Sequence, residues 1–312
     1  MKKIKLGLLL SAVLSLLACT EQALTSKTNE KATETMTSSD ALHDWQNPQV
    51  FQINKLPPRA HFYSFFKDPG QFVSEPWAHS NYLNLNGLWK FNYVSDPTQR
   101  PMDFYKNDYD VSSWKDIKVP ANWQLEGYGA PNYVNMRVDF TDKPVAGEVA
   151  NNYNPTGSYK RDFDLPADWQ NKQVFAYFGA VKSAFYIWVN GKKVGYSQDS
   201  KSPAEFDITD YVQAGKNHIA LEVYRWSDGT YLELQDMWRV SGIERDVYLY
   251  ATPKVHLRDF HADAGLSDNF LVGDLRFSAQ IKNDGASAQQ GYQLQIDIND
   301  AENKIVLSKK LG

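Results

Sequence analysis

Cysteine is almost absent from this chain: Cys19 is the only one in 312 residues. An intrachain disulfide is therefore excluded, and the fold must be held by packing. Positive charge is not in excess either. Lys and Arg number 33 against 37 Asp and Glu, a net charge of −4, which gives no basic field for nucleic acid. The six histidines are scattered, and no His–Glu–x–x–His zinc signature occurs among them. Long apolar runs are missing outside residues 6–17, a stretch too short to cross a bilayer as a mature helix. Sustained helical periodicity is missing throughout.

Aromatic residues are what the chain has in quantity: 14% of the sequence, with 9 Trp and 18 Tyr. Flat rings suit a pleated sheet. They equally suit a carbohydrate, whose apolar C–H face a ring can cover, and composition alone does not separate the two uses. The N-terminus has the three parts of an export signal. Lys2, Lys3 and Lys5 are the positive region, residues 6–17 the apolar one, and Leu16-Leu17-Ala18-Cys19 resembles a bacterial lipobox. Residues 1–19 are thus expected to be a lipoprotein signal peptide with Cys19 as the lipidated residue, although an ordinary signal cleaved near Ala18 has the same outline. Thr20 is not the aspartate that holds a lipoprotein at the inner membrane, so the expected location is the outer membrane, facing the periplasm or the cell surface. Residues 20–44, rich in Thr, Ser, Glu and Lys, read as a disordered tether.

The folded body is expected from Trp45. Pro48, Pro57 and Pro58 make residues 47–66 an extended arm, since proline is barred from regular helix and central strand. Trp89, Phe91 and Tyr93 then alternate along a strand. Further strands are predicted at 159–163, 173–178, 184–189, 218–226 and 246–250, with a helical turn at 207–212. Asn190-Gly191 signals a hairpin whose two central residues take positive φ. The fold class predicted for 45–252 is all-β, a jelly-roll sandwich. Past a boundary at Ala251-Thr252-Pro253, strands at 255–262, 270–283, 290–298 and 305–307 give about four of the roughly seven that an immunoglobulin-like sandwich needs. Residues 253–312 are accordingly expected to form a partial immunoglobulin-like domain with open edges.

Polar and aromatic residues concentrate in four segments: 119–135, 154–159, 195–207 and 226–245. The last holds Trp226, Tyr231 and Trp238 among Asp228, Glu233, Asp236 and Glu244, with Gly229 and Gly242 as punctuation, and it has neither strand nor helix period. A loop of that kind is held over a site or is a long packed connector. The runs Gly195-Tyr196-Ser197-Gln198-Asp199-Ser200, Ser202-Pro203-Ala204-Glu205-Phe206-Asp207 and the whole of 226–245 are long and specific. On them, the chain from Trp45 onward resembles the N-terminal part of the large β-galactosidases of glycoside hydrolase family 2.

The resemblance implies a jelly-roll sugar-binding domain followed by an immunoglobulin-like one. It implies a separate barrel that carries two catalytic glutamates and the histidine and glutamate ligands of a magnesium ion. Retaining hydrolysis sets its two carboxylates about 5 Å apart, and neither catalytic motif is in this sequence, so the chain alone is expected to be inactive. Asn135 and Asp199 match the family residues that reach galactosyl hydroxyls, and Asp199 also matches a sodium ligand. An aspartate accepts hydroxyl hydrogen bonds and an amide both donates and accepts. Read as residues only, Asn135 is a turn amide and Asp199 a cap or Asx-turn, and it is the resemblance that reverses this reading. Trp123, Trp188, Trp226 and Trp238 are expected in the core or as loop anchors. Glu233, Asp236 and Arg239 are expected to tie down the long loop. Glu205 and Asp207, two apart on a strand, point the same way with nothing placing a sugar between them. The implied partners are a β-galactoside, a membrane through the lipid anchor, and the rest of the enzyme or a second copy of the chain. The competing reading is a free-standing carbohydrate-binding lipoprotein.

Overall fold

The computed structural model describes residues 42–69, 75–135, 137–150, 153–267 and 269–311. The lipobox with Cys19 lies outside the described residues, as does the tether up to 41. Asp44 belongs with the body rather than with the tether: it opens a 3-10 turn, Asp44–Gln46, and accepts a hydrogen bond from the Tyr186 hydroxyl at 2.9 Å. Among the described residues every strand pair is antiparallel and no α-helix occurs.

Two sheets make the sandwich. The larger has seven strands in the order Gln52–Ile53, Lys192–Ser197, Ala184–Val189, Gly215–Tyr224, Thr156–Leu165, Gly87–Val94 and Lys115–Val119. The smaller has four, in the order Ala204–Asp207, Gln173–Phe178, Val247–Thr252 and Tyr82–Asn84. Strand alternation decides the core. Val174, Ala176 and Phe178 face inward with Val247, Leu249 and Ala251, meeting Ile187, Leu221 and Val223 of the larger sheet. The intervening Phe175, Tyr177, Tyr248 and Tyr250 point outward, yet they are buried too. Leu56, Tyr63 and Phe65 of the proline-bearing arm, with Trp77, cover them. Both faces of the small sheet are therefore dry, which is why Gln173–Phe178 and Val247–Thr252 are buried at every position.

The predicted strands at 173–178 and 184–189 are observed as Gln173–Phe178 and Ala184–Val189. Asn190 and Gly191 turn the hairpin at φ 49° and 78°. The helical turn expected at 207–212 is a turn only, closed by the Tyr211 and Val212 amides on the Ile208 carbonyl. Trp123, Trp188 and Trp226 are buried as expected. Trp238 is not: it is 59% exposed, because it sits on a two-stranded ribbon, Asn132–Val134 with Met237–Arg239, that has no layer over it.

Beyond Thr252 the chain forms two hairpins, Val255–Leu266 with Gly273–Asn283 and Leu294–Asn299 with Ile305–Leu311. They do not pair into a common sheet. None of their apolar residues is fully buried: Ile281, Val306 and Leu307 are exposed, and Leu257, Ile296 and Ile298 are only half-buried. The first hairpin is anchored to the sandwich through Arg258, Asp259 and Phe260. Arg258 Nη1 reaches Glu205 at 2.8 Å, the Ala60 amide donates to Asp259 at 2.8 Å, and the Phe260 ring lies 5.3 Å from that of Phe62.

Candidate sugar site

A cavity of about 740 Å³ opens beside the small sheet, between the arm, the 198–203 turn and the loop beginning at Trp226. Asp199 lines it. Asp199 is an exposed residue between two buried ones, at φ 79°. Asp tolerates that left-handed conformation better than most residues, and its neighbours enforce it. Gln198 Nε2 donates to the Tyr196 hydroxyl at 2.7 Å and to Asp228 at 2.6 Å. Ser200 donates its amide (2.8 Å) and its hydroxyl (2.5 Å) to the Glu233 carboxylate. With both flanks pinned, the Asp199 carboxylate is turned out to the cavity, and none of the described residues hydrogen-bonds it. The Asx-turn alternative thus lacks the bond that would define it.

The long loop is fastened as its charges suggested. Ser227 and Thr230 form a reciprocal cap at the start of Asp228–Leu232. Arg239 donates to the carbonyls of Glu233 at 2.8 Å and Val134 at 3.3 Å. Asp236 takes the Tyr133 hydroxyl. Loop and turn therefore share Glu233 and hold one another.

Asn135 is exposed and directly follows the strand Asn132–Val134. Val134 is paired with Met237, and Met237 lines the cavity while Asn135 does not. Asp199 thus lines the cavity, while Asn135 stands one residue beyond the strand that pairs with cavity-lining Met237 and is not brought into the lining. Glu205 also lines the cavity but is committed. Arg59 Nη2 binds it at 2.6 Å, Arg258 at 2.8 Å and the Tyr250 hydroxyl at 2.9 Å. Burial would raise its carboxyl, but the two guanidinium groups outweigh burial and hold the pKa below the ordinary carboxylate value. Asp207 accepts from the Thr209 amide and hydroxyl and is not in the cavity.

Two lysines that sequence reasoning passed over, Lys55 and Lys182, line the same cavity. Burial lowers the pKa of Lys55, with Asp199 opposing it. The signal for Lys182 was legible: it is a lone cation inside the otherwise apolar or small run 176–189, broken only by Tyr and Ser hydroxyls. As for metals, no group of three or more His, Cys, Asp or Glu among the described residues could hold an ion. Asp199 offers one carboxylate, with Lys55 as its charged neighbour, so the described residues alone build no complete cation site.

Residues 82–253 match the family described as "Glycosyl hydrolases family 2, sugar binding domain". The chain belongs to that family. The matched span opens at Tyr82, the first residue of the small sheet's edge strand, and closes next to Thr252. Among similar proteins, a β-galactosidase of Priestia megaterium is 39% identical over 271 residues, which is 86% of this chain and 26% of that protein. A β-galactosidase of Yersinia pestis is 45% identical over 239 residues, 76% of this chain and 22% of that protein. This family 2 chain therefore spans about a quarter of the length of these relatives. Among solved structures, a β-glucuronidase from an uncultured Clostridium superposes with a TM-score of 0.55 at 21% identity, over 73% of this chain and 37% of that one. A β-glycosidase from Bacteroides vulgatus gives 0.53 at 22%, over 73% and 27%. At such identities the structural likeness speaks for the all-β fold alone.

Proposed function

We propose that this chain is the sugar-positioning, non-catalytic N-terminal segment of a retaining β-galactosidase. The observation that carries the reading is the Asp199 carboxylate: pinned on both flanks, presented to a cavity, and bonded to nothing described. A carboxylate in that state accepts two sugar hydroxyls, and a site built to bond hydroxyls rejects sugars that lack them. On this reading Asn135, next after the strand that pairs with cavity-lining Met237, supplies an amide to the same sugar. The β-galactosidase relatives support the choice of galactose.

The state of the cavity's carboxylates supports inactivity of the chain by itself. Asp199, Glu205 and Glu233 line it. Glu205 is tied by two arginines and Glu233 by Ser200, which leaves Asp199 without the partner that a double displacement at the anomeric carbon requires. The two glutamates and the magnesium ligands belong, on this reading, to polypeptide outside these residues, which also completes a sodium site to which Asp199 gives one oxygen ligand. The test is turnover of a chromogenic β-galactoside by the purified chain. None is expected, and turnover that survives Asp199→Ala would refute both the inactivity of the chain and the positioning role of Asp199. Calorimetry with galactose addresses the free-standing carbohydrate-binding alternative: micromolar binding would favour it, whereas the expected result is no such affinity, because a half-site buries little of the ligand. We also propose export and lipidation at Cys19. Incorporation of labelled fatty acid that persists in Cys19→Ala would sink that proposal.

A further inference from the structure

Lys182 is 5% exposed, comes from the short strand Val181–Lys182 that pairs with Gly242–Ile243, and lines the cavity. No described residue takes a hydrogen bond or close ion pair from its ammonium group. The carboxylates whose field it feels, Glu233 and Glu244, are engaged elsewhere: Glu233 by the Ser200 amide and hydroxyl, Glu244 by the Asn122 amide and the Lys201 ammonium. Lys201 and Arg239 add positive charge around it. The residue is largely covered, but its Nζ is not sealed away without a partner; the three donors of the ammonium, which has no acceptor, therefore face the cavity it lines. Burial accordingly lowers the Lys182 pKa, against the pull of Glu233.

A neutral hydroxyl would satisfy one donor without balancing the charge. An anionic oxygen does both, in charge-assisted bonds that are shorter and about twice as strong as neutral ones. Lys55, on the arm, lines the same cavity, as do Arg59 and Lys201, which are paired with Glu205 and Glu244. The cavity thus presents a hydroxyl acceptor at Asp199 and an anion donor at Lys182. We propose that Lys182 is the anion contact of this site and that the sugar it takes is a galactoside bearing an acidic substituent, a sulfate ester or a carboxylate. Its ring hydroxyls turn to Asp199 and its acidic oxygens to Lys182. This rests on the sugar-site reading above and narrows the substrate class.

The experiment is ligand-observed NMR titration of the full 312-residue chain at low salt with galactose, galactose 6-sulfate and galacturonic acid. At least one acidic sugar is expected to bind about ten times more tightly than galactose, with the advantage shrinking in 0.5 M salt as screening requires (Debye length about 3 Å at 1 M). Which acidic sugar leads identifies the substituent. Lys182→Met should abolish the advantage and Lys182→Arg retain it. Lys182→Gln replaces Met if the Met variant melts early. Asp199→Asn should weaken acidic and neutral sugars by the same factor. Equal binding of acidic and neutral sugars, no binding of any, or a preference that survives Lys182→Met overturns the proposal. An Asp199→Asn variant that binds every sugar as tightly as the parent, with the Lys182-dependent preference intact, instead sinks the hydroxyl role of Asp199 and leaves the anion contact standing.

Discussion

The sandwich and the two hairpins beyond it are built from the same kind of strand, yet only one of them has an interior. In Gln173–Phe178 and Val247–Thr252, alternation sends one set of side chains to the larger sheet and the other beneath the proline-bearing arm. In Ile305–Leu311 the strand is equally apolar in part, but every residue is exposed. Alternation thus specifies which side chains share a face, while burial requires a second layer. The sharpest way to break this contrast is a matched pair of truncations. Phe178→Ala, at 0% exposure inside the sandwich, should cost about 3–5 kcal/mol by the usual scale for buried aromatics. Leu307→Ala, at 51% exposure, should stay within about 0.5 kcal/mol. Equal shifts of the two denaturation midpoints would show that the hairpins have a core of their own.

Glu205 is where the two regions meet, since Arg59 of the arm and Arg258 of the first hairpin close on one carboxylate. Removing one partner of a buried pair typically costs about 3–5 kcal/mol, so Glu205→Gln should rank next, and it should loosen the first hairpin as well. Limited proteolysis within 255–283 reads the second effect. The pH dependence has a fixed sign. The folded carboxyl titrates below its ordinary value of 4.5. Its contribution is therefore present above that value and disappears as the pH falls through the lower, folded pKa. The native chain should lose stability on acidification below about 4.5 more steeply than Glu205→Gln, measured by urea titration at a series of pH values.

The contrast also explains what could be read in advance. Strands at 173–178 and 184–189 were legible because length, β-branched and aromatic content and turn residues all agree there. The turn at 190–191 was legible because Asn-Gly has few other uses. Of the two places expected for Trp238, core or loop anchor, the core is the wrong one, because the pairing of 132–134 with 237–239 puts it on an uncovered ribbon where, among the described rings, it meets only Tyr133. Asp199 was found through the resemblance of its motif. Its left-handed backbone and the grip of Gln198 and Ser200 were not foreseeable, because Asp228 and Glu233 arrive from about thirty positions away. The commitment of Glu205 to Arg59 and Arg258 was hidden for the same reason.

Asp199 offers a smaller test, in which site and scaffold are expected to move in opposite directions. At φ 79° a glycine has no Cβ penalty, so Asp199→Gly should raise stability by up to about 1 kcal/mol while removing the hydroxyl acceptor from the cavity. A loss of stability in thermal or urea denaturation would mean that the carboxylate holds the turn, contrary to the bonding seen.

The smallest expected effect is at Trp238. Its ring meets Tyr133 edge-on, at 5.6 Å and 64°, and little else covers it. An aromatic pair contributes about 0.5–1.5 kcal/mol beyond its buried area, but this pair tethers only a ribbon at the rim of the sandwich. Trp238→Ala should therefore leave the global denaturation midpoint within about 0.5 kcal/mol of the parent. It should still speed hydrogen exchange of the Tyr133 and Met237 amides. Unchanged exchange would mean that the ribbon is held by Arg239 and Asp236 alone. A large global loss would mean that the ribbon belongs to the sandwich's cooperative core, and the line between covered and uncovered strands would have to be redrawn to include it.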